Sequence, residues 1–269
     1  MRPAIETLYF VHISDTHFGP SSGYSIHGHV PLTCAQRLVD VINTLPVRPD
    51  FVIHTGDVVT DPDPDSYALA ADTLSTLRVP IYYVSGNHDS ARDMRKYLAM
   101  GPGQVLTADP DLFSYAFEKK GYRFLVLDAR GPSEIAPQGL LPAGQMEIVR
   151  REAQAEGPPL VIFVHYPVLP LDSPWMDRNM LIVNGDEFHR ALLPARKRLR
   201  AVFHGHVHNS MQTLRDGIPY IAVGSSFSQF TAWPNEETVG YNAQARPAFN
   251  FVHLTAEQTI VHQHTFLRP

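Results

Sequence analysis

Short apolar runs that end abruptly in a polar turn recur along this chain. Leu8-Tyr9-Phe10-Val11-His12-Ile13 reads as a first buried strand and gives way to Ser14-Asp15-Thr16-His17. Phe51-Val52-Ile53-His54 runs into Thr55-Gly56-Asp57, and Ile81-Tyr82-Tyr83-Val84 stops at Ser85-Gly86, with Asn87-His88-Asp89 following at once. The strongest strand pattern, residues 160–164, ends in His165-Tyr166-Pro167, and Ala201-Val202-Phe203 ends in His204-Gly205-His206-Val207-His208.

Between these runs the spacing turns helical. Cys34, Leu38, Val41, Ile42 and Leu45 predict a helix stopped by Pro46 and Pro49. Asp61, Asp63 and Asp65 read as a solvated loop that caps a helix over residues 66–77. Further helices are predicted over 90–98, 142–155 and 186–193, and a long loop with Pro and Trp over 168–185. Residues 113–117 and 123–127 predict a hairpin, and short strands near 212–214, 220–223, 249–254 and 259–266 close the chain. Strands alternating with helices, with hairpins between and after, indicate an α/β fold with mixed sheets. No repeat, low-complexity tract or linker interrupts residues 1–269, which predicts a single domain.

Composition narrows the function. The 269 residues are 44% hydrophobic, enough for a sizeable core. A net charge of −5 argues against a nucleic-acid partner held by bulk electrostatics. The one basic cluster, Arg196-Lys197-Arg198 with Arg200, reads as a solvated helix end. The single cysteine, Cys34, excludes an internal disulfide, fits a reducing cytoplasm and reads as a small buried hydrophobe. Met1-Arg2-Pro3-Ala4-Ile5-Glu6 leads straight into a strand without a signal-peptide apolar region, and no run of ~18 apolar residues appears. A cytoplasmic protein with no membrane partner is expected.

What stands out is the 14 histidines, several beside aspartates. Five strand ends carry Asp15 with His17, Asp57, Asn87 with His88, His165, and His206 with His208. Carboxyl ends of neighbouring strands in α/β sheets converge on one edge, where ligands bind. Leaving His88 aside, the set offers two carboxylates, an amide oxygen and four imidazoles. That exceeds the needs of one tetrahedral ion and suits two ions of five or six ligands each. Missing thiolates argue against structural zinc, and mixed N/O ligands are compatible with manganese, iron, zinc or cobalt. Two ions about 3.5–4 Å apart clamp the attacking and leaving oxygens of an in-line phosphoryl displacement and lower the pKa of bound water toward ~7. Asp57, alone at its turn, is the natural bridging carboxylate.

The order Asp-x-His, Gly-Asp, Gly-Asn-His-Asp, His, Gly-His-x-His, from position 15 to 208, resembles the calcineurin-like metallophosphoesterase family. The resemblance implies a four-layer αββα sandwich of two mixed sheets with helices outside. It implies one metal at Asp15, His17, Asp57 and His208, and a second at Asp57, Asn87, His165 and His206. His88 would orient the phosphate, with Asn87, and help the leaving oxygen depart. Asp89 and His204 would be supporting residues.

Family members that cleave phosphoprotein monoesters carry an arginine soon after Gly-Asp and read Gly-Asn-His-Glu. Here Gly56-Asp57-Val58-Val59-Thr60-Asp61 and Gly86-Asn87-His88-Asp89 stand instead. The pattern looks more like the class III cyclic-nucleotide phosphodiesterase branch, with His-Ile-Ser-Asp-Thr-His at residues 12–17. The resemblance thus implies a dimetal phosphodiesterase whose small-molecule substrate is a 3′,5′-cyclic nucleotide cleaved by a metal-bound hydroxide. Glycerophosphodiesterases share the ligand set and are the alternative; a non-enzymatic scaffold would have lost ligands. Tyr166 replaces the second histidine of His-His-Pro and could donate a hydrogen bond to substrate.

Plainer readings suit the remaining residues. His12 and His54 read as satisfied core histidines, and His262 and His264 as an exposed strand face. His27 and His29 sit on a loop, solvated or forming a substrate wall. Trp175 and Trp233 read as loop anchors that could also stack on a base. Phe227, Phe230 and Trp233 could form an apolar contact surface, compatible with a homo-oligomer, or a core strand end.

Overall fold

A computed structural model describes residues 5–231 and 233–269; the reading of Met1 to Ala4 as a lead-in lies outside the described residues. The chain runs β1 (Leu8–Ile13), α1 (Pro31–Asn43), β2 (Phe51–His54), α2 (Pro64–Leu74), β3 (Ile81–Tyr83) and α3 (Ala91–Tyr97). It continues with β4 (Gln104–Val105), β5 (Tyr115–Lys119), β6 (Tyr122–Val126), α4 (Ala143–Gln154), β7 (Leu160–Phe163), α5 (Pro174–Asn179) and α6 (Gly185–Leu192). Strands β8 (Leu199–His204), β9 (Gln212–Arg215), β10 (Ile218–Ala222), β11 (Ala248–Leu254) and β12 (Thr259–Thr265) complete it.

The strands form two mixed sheets, ordered β12-β11-β1-β2-β3 and β4-β5-β6-β7-β8-β10-β9. In the first, β1, β2 and β3 are parallel while β11 runs antiparallel to β1, with Leu8 opposite Leu254. In the second, β6, β7, β8 and β10 are parallel. Side-chain alternation builds the layers. Val161 and Phe163 of β7 join the core shared with β1 and β2, whereas Leu160 and Ile162 face the core shared with α4 and α6. Phe10 of β1 meets Phe163 and Phe203 edge-on at 5.7 and 5.3 Å between ring centroids, which locks sheet to sheet. Helices α1, α2 and α3 pack on the first sheet's core. The result is the expected four-layer arrangement.

Local chemistry sets the element bounds. Asp63 caps α2 by accepting from the N–H groups of Asp65 (2.8 Å) and Ser66 (3.3 Å), so that helix starts at Pro64, before residue 66. Ser90 caps α3 through the N–H of Asp93. The β5–β6 hairpin turns at Lys120 and Gly121, both with positive φ, so its strands run further toward the turn than the apolar pattern suggests. The loop over 168–185 contains the short helix α5, started by Pro174. No helix among the described residues is long and apolar enough to cross a membrane.

Candidate metal centre

The parallel strands β1, β2, β3, β7 and β8 all end at one edge, and every candidate ligand lies in the turn just after one of them. The turns of β1 and β2 are laced by backbone hydrogen bonds: Asp15 N–H to the Gly56 carbonyl (3.0 Å) and His17 N–H to the Asp57 carbonyl (3.1 Å). Asp15, His17, Asp57, His206 and His208 adopt left-handed backbone, with φ of 55°, 47°, 55°, 71° and 43°. Such a conformation costs roughly 1–3 kcal/mol per residue and gathers at functional sites; Asp and His tolerate it better than bulkier types. The turn after β8 also demands close approach. A Cβ on Gly205 would stand 1.9 Å from Ser14 Oγ and 2.8 Å from Asp15 Oδ2. Only glycine lets that turn lie on the turn of β1.

Three groups of ligand atoms each lie within 4.8 Å: Asp15, His17 and His208; His17, Asp57 and His88; and Asp57, His165 and His206. Asp57 and His17 each belong to two groups, so the clusters are contiguous. Asn87 Oδ1 is 3.2 Å from His165 Nε2, which brings it to the third group. Ring nitrogens face one another: His17 Nε2 is 3.1 Å from His208 Nε2, and His165 Nε2 is 3.0 Å from His206 Nδ1. The far nitrogens are held by carbonyls, His165 Nδ1 by Thr55 (2.7 Å) and His208 Nδ1 by Ser228 (3.0 Å). A carbonyl only accepts, so each Nδ1 carries a proton and each Nε2 is turned inward toward the other ligands.

These donors fit divalent cations. Asp15 Oδ1 is buried with no hydrogen-bond partner among the described residues, 3.4 Å from His208 Nε2. An uncompensated buried carboxylate oxygen is costly, and a cation is its natural complement. Electrostatics agree. Burial opposes ionisation of Asp57, but His165 beside it holds the carboxyl well below the usual range. Burial holds His17 neutral, its pKa lowered to about 3. Burial likewise disfavours the His165 cation, yet Asp57 and Asp15 outweigh it and lift its pKa to about 9, so a divalent cation bound at Nε2 would displace a proton there.

His88 lies beside this group and lines the cavity. Its Nδ1 is 2.6 Å from the Thr60 carbonyl, and its backbone N–H donates to Asp57 Oδ1 at 3.0 Å. Burial works against its cation, but Asp57 and the Thr60 carbonyl prevail and raise the pKa. Asp89 turns away from the cavity. Its carboxylate accepts from the N–H groups of Gly86 (2.9 Å), Val58 (3.0 Å) and Val59 (3.3 Å), tying the turn of β3 to that of β2. Burial, with Asp57 nearby, pushes its pKa up to about 6.

The ligand cluster floors a cavity of about 370 Å³. Ile26, His27, Trp175, Phe227, Phe230 and Tyr241 form much of its wall, and no Lys or Arg lines it among the described residues. Tyr166 is not part of the lining. It is 1% exposed, its ring packed edge-on behind His165 and His206 at 4.9 Å from each. His12 bonds Thr55 Oγ1 and His54 bonds Thr16 Oγ1, both at 2.9 Å inside the core. His262 and His264 lie on the exposed face of β12, and Trp233 is 67% exposed. The wall residues Tyr241 and Met180 carry no pattern that singles them out in the sequence.

Comparison with known proteins agrees with this geometry. A glycerophosphodiester phosphodiesterase, GpdQ, from Enterobacter lignolyticus is 30% identical over 264 residues, covering 96% of this chain and 91% of its own. A 3′,5′-cyclic adenosine monophosphate phosphodiesterase, CpdA, from Pseudomonas aeruginosa is 26% identical over 235 residues, covering 87% of this chain and 81% of its own. A dimetal phosphatase from Danio rerio of solved structure shares the fold, with a TM-score of 0.63 at 15% identity over 98% of this chain and 100% of its own. Residues 8–210 match the calcineurin-like phosphoesterases, and the chain belongs to that family.

Proposed function

We propose that this protein is a metal-dependent phosphodiesterase that hydrolyses 3′,5′-cyclic nucleotides. One divalent ion would be held by Asp15, His17, Asp57 and His208, and a second by Asp57, Asn87, His165 and His206. The observation that carries the reading is the contiguity of the ligand groups through Asp57 and His17, at the floor of a cavity whose described lining has no Lys or Arg. Ions bound there would supply charge neutralisation of the phosphoryl oxygens and acidify a water near pH 7, with manganese, iron, zinc and cobalt all suited to the N/O donors.

The chain's own residues do the rest. Asp57 is kept anionic beside His165, and the Thr55 and Ser228 carbonyls fix the ring orientations of His165 and His208. His88, with Nδ1–H donated to the Thr60 carbonyl and its cation favoured by Asp57, holds a proton for the departing alkoxide. With no Lys or Arg among the described wall residues, a monoanionic diester is favoured over a dianionic monoester. Buried Cys34 supports a cytoplasmic setting, and residues 1–269 act as one domain in this reading.

Glycerophosphodiesters are the second reading, favoured by the 30% identity to GpdQ over 96% of this chain. The deciding experiment compares hydrolysis of 3′,5′-cyclic AMP and glycerophosphocholine with manganese supplied and His206→Ala as control. Preference for cyclic AMP, lost in the control, supports the first reading, and preference for the glycerol diester supports the second. An active His206→Ala protein overturns the site, and a wild type inert on both esters overturns both substrate readings.

A further inference from the structure

Four rings run in contact from the candidate metal centre to the cavity rim. Phe230 lies flat on His208, with centroids 4.4 Å apart and planes at 5°. Tyr241 meets Phe230 edge-on at 5.1 Å, and His27 stacks on Tyr241 at 3.5 Å and 23°. Each ring is held by backbone. Phe230 and Tyr241 are bridge partners, supported by the Asn242 N–H to Gln229 carbonyl bond of 2.9 Å. His27 sits at the tip of a two-residue hairpin in which Ile26 and His29 exchange both backbone hydrogen bonds, at 2.9 and 3.0 Å.

That tip is unusual. His27 and Gly28 both have positive φ, 52° and 77°, as a type I′ turn requires. Asn or Gly would fill the first position with less strain, and an ordinary solvated loop has no need of an imidazole there. The turn spends that strain to lay the ring on a tyrosine from a segment more than 200 residues away in sequence, across the cavity mouth. Tyr241 remains 45% exposed, and all three rings line the cavity. With no Lys or Arg in the described lining, the wall offers aromatic rings and the apolar side chains of Ile26, Pro137 and Met180 to whatever is attached to the phosphate.

We infer that His27, Tyr241 and Phe230 are specificity-determining residues that bind a flat aromatic substituent of the phosphodiester, such as a nucleobase, by stacking. The inference rests on the phosphodiesterase reading above and names the residues that would favour its first substrate class over the second.

The test uses the manganese-loaded full chain with Tyr241→Ala, His27→Gly (which keeps the turn) and Tyr241→Phe. For each, kcat/KM is measured on 3′,5′-cyclic AMP, glycerophosphoglycerol and glycerophosphocholine. Tyr241→Ala and His27→Gly are expected to lower the ratio of cyclic AMP to glycerophosphoglycerol by about 5- to 100-fold, mainly through KM, as loss of a base–ring stack does. Tyr241→Phe should retain the wild-type ratio. An unchanged ratio in both truncations overturns the inference, as does a larger loss on glycerophosphocholine, which would mark a cage for quaternary ammonium. Equilibrium dialysis of 5′-AMP against glycerol 3-phosphate separates this from failure of the phosphodiesterase reading. Tighter 5′-AMP binding that Tyr241→Ala abolishes supports the wall even in a protein inert on all three esters; equal binding of the two by the wild type overturns it.

Discussion

Asp57 Oδ1 accepts a 3.0 Å hydrogen bond from the backbone N–H of His88, so the carboxylate shared by two ligand groups also fixes the turn that carries the candidate acid. Asp57→Asn keeps an acceptor at that atom and removes the charge. It should leave the far-UV circular dichroism unchanged. Bound metal, measured by elemental analysis after dialysis, should fall, with activity dropping beyond the roughly 10–100-fold typical of residues that only support a ligand.

His88→Ala tests the proton donor separately from the metal ligands. Metal content should hold while kcat falls by roughly 10²–10⁴ on esters with alkoxide leaving groups. The loss should shrink on a para-nitrophenyl diester, whose leaving group departs without a proton. Equal losses on both ester types would argue for a positioning role instead.

Asp89→Ala removes an acceptor used by three buried N–H groups, those of Gly86, Val58 and Val59. Unmade bonds of this kind cost roughly 1–3 kcal/mol each. Thermal unfolding should show a Tm lower by several degrees, and metal affinity should weaken as the turns of β2 and β3 separate. A variant that melts with the wild type would contradict the clamp.

Two core histidines set an acid limit. Burial holds His12 well below its ordinary pKa and lowers His54 to about 4. Unfolding releases both to ordinary values near 6.5, so the unfolded chain binds more protons below that pH. The stability each contributes is fully present above pH ~6.5 and is lost as pH falls toward the folded-state value, about 4 for His54. Urea unfolding between pH 6.5 and 4.5 should show stability falling by up to about 1.4 kcal/mol per pH unit for each histidine. His54→Gln should flatten that slope.

How much of this was legible in the sequence divides along one physical line. Strand ends were readable because an apolar run and the polar turn that stops it are local, and Asp15, Asp57, His165 and His206 each follow such a run. The cavity wall was legible only in part: the loop of His27 reads as a possible substrate wall and Trp175 as a possible stacking ring, and both line the cavity. Tyr241, however, lies in a stretch without periodicity, and its contact with His27 is a pairing no local pattern encodes. Tyr166 shows the same limit from the other side. Its place beside His165 suggests a donor to substrate, while packing turns its ring behind two histidines. Helix α5 leaves no periodic signal because it is only six residues long and carries Pro174 and Trp175 within a proline-containing loop.

The pairing of β1 with β11 has a consequence for biosynthesis. His208, the last candidate ligand, precedes Ala248, where the strand that flanks β1 begins. A nascent chain therefore displays every ligand before the frame that orients Asp15 and His17 can close, since the antiparallel partner of β1 is still inside the ribosome. Non-local pairings of this kind form late. Ribosome-stalled chains that end before Ala248 should stay open to protease around β1, and protection there at that length would show that the first sheet forms without its fourth strand.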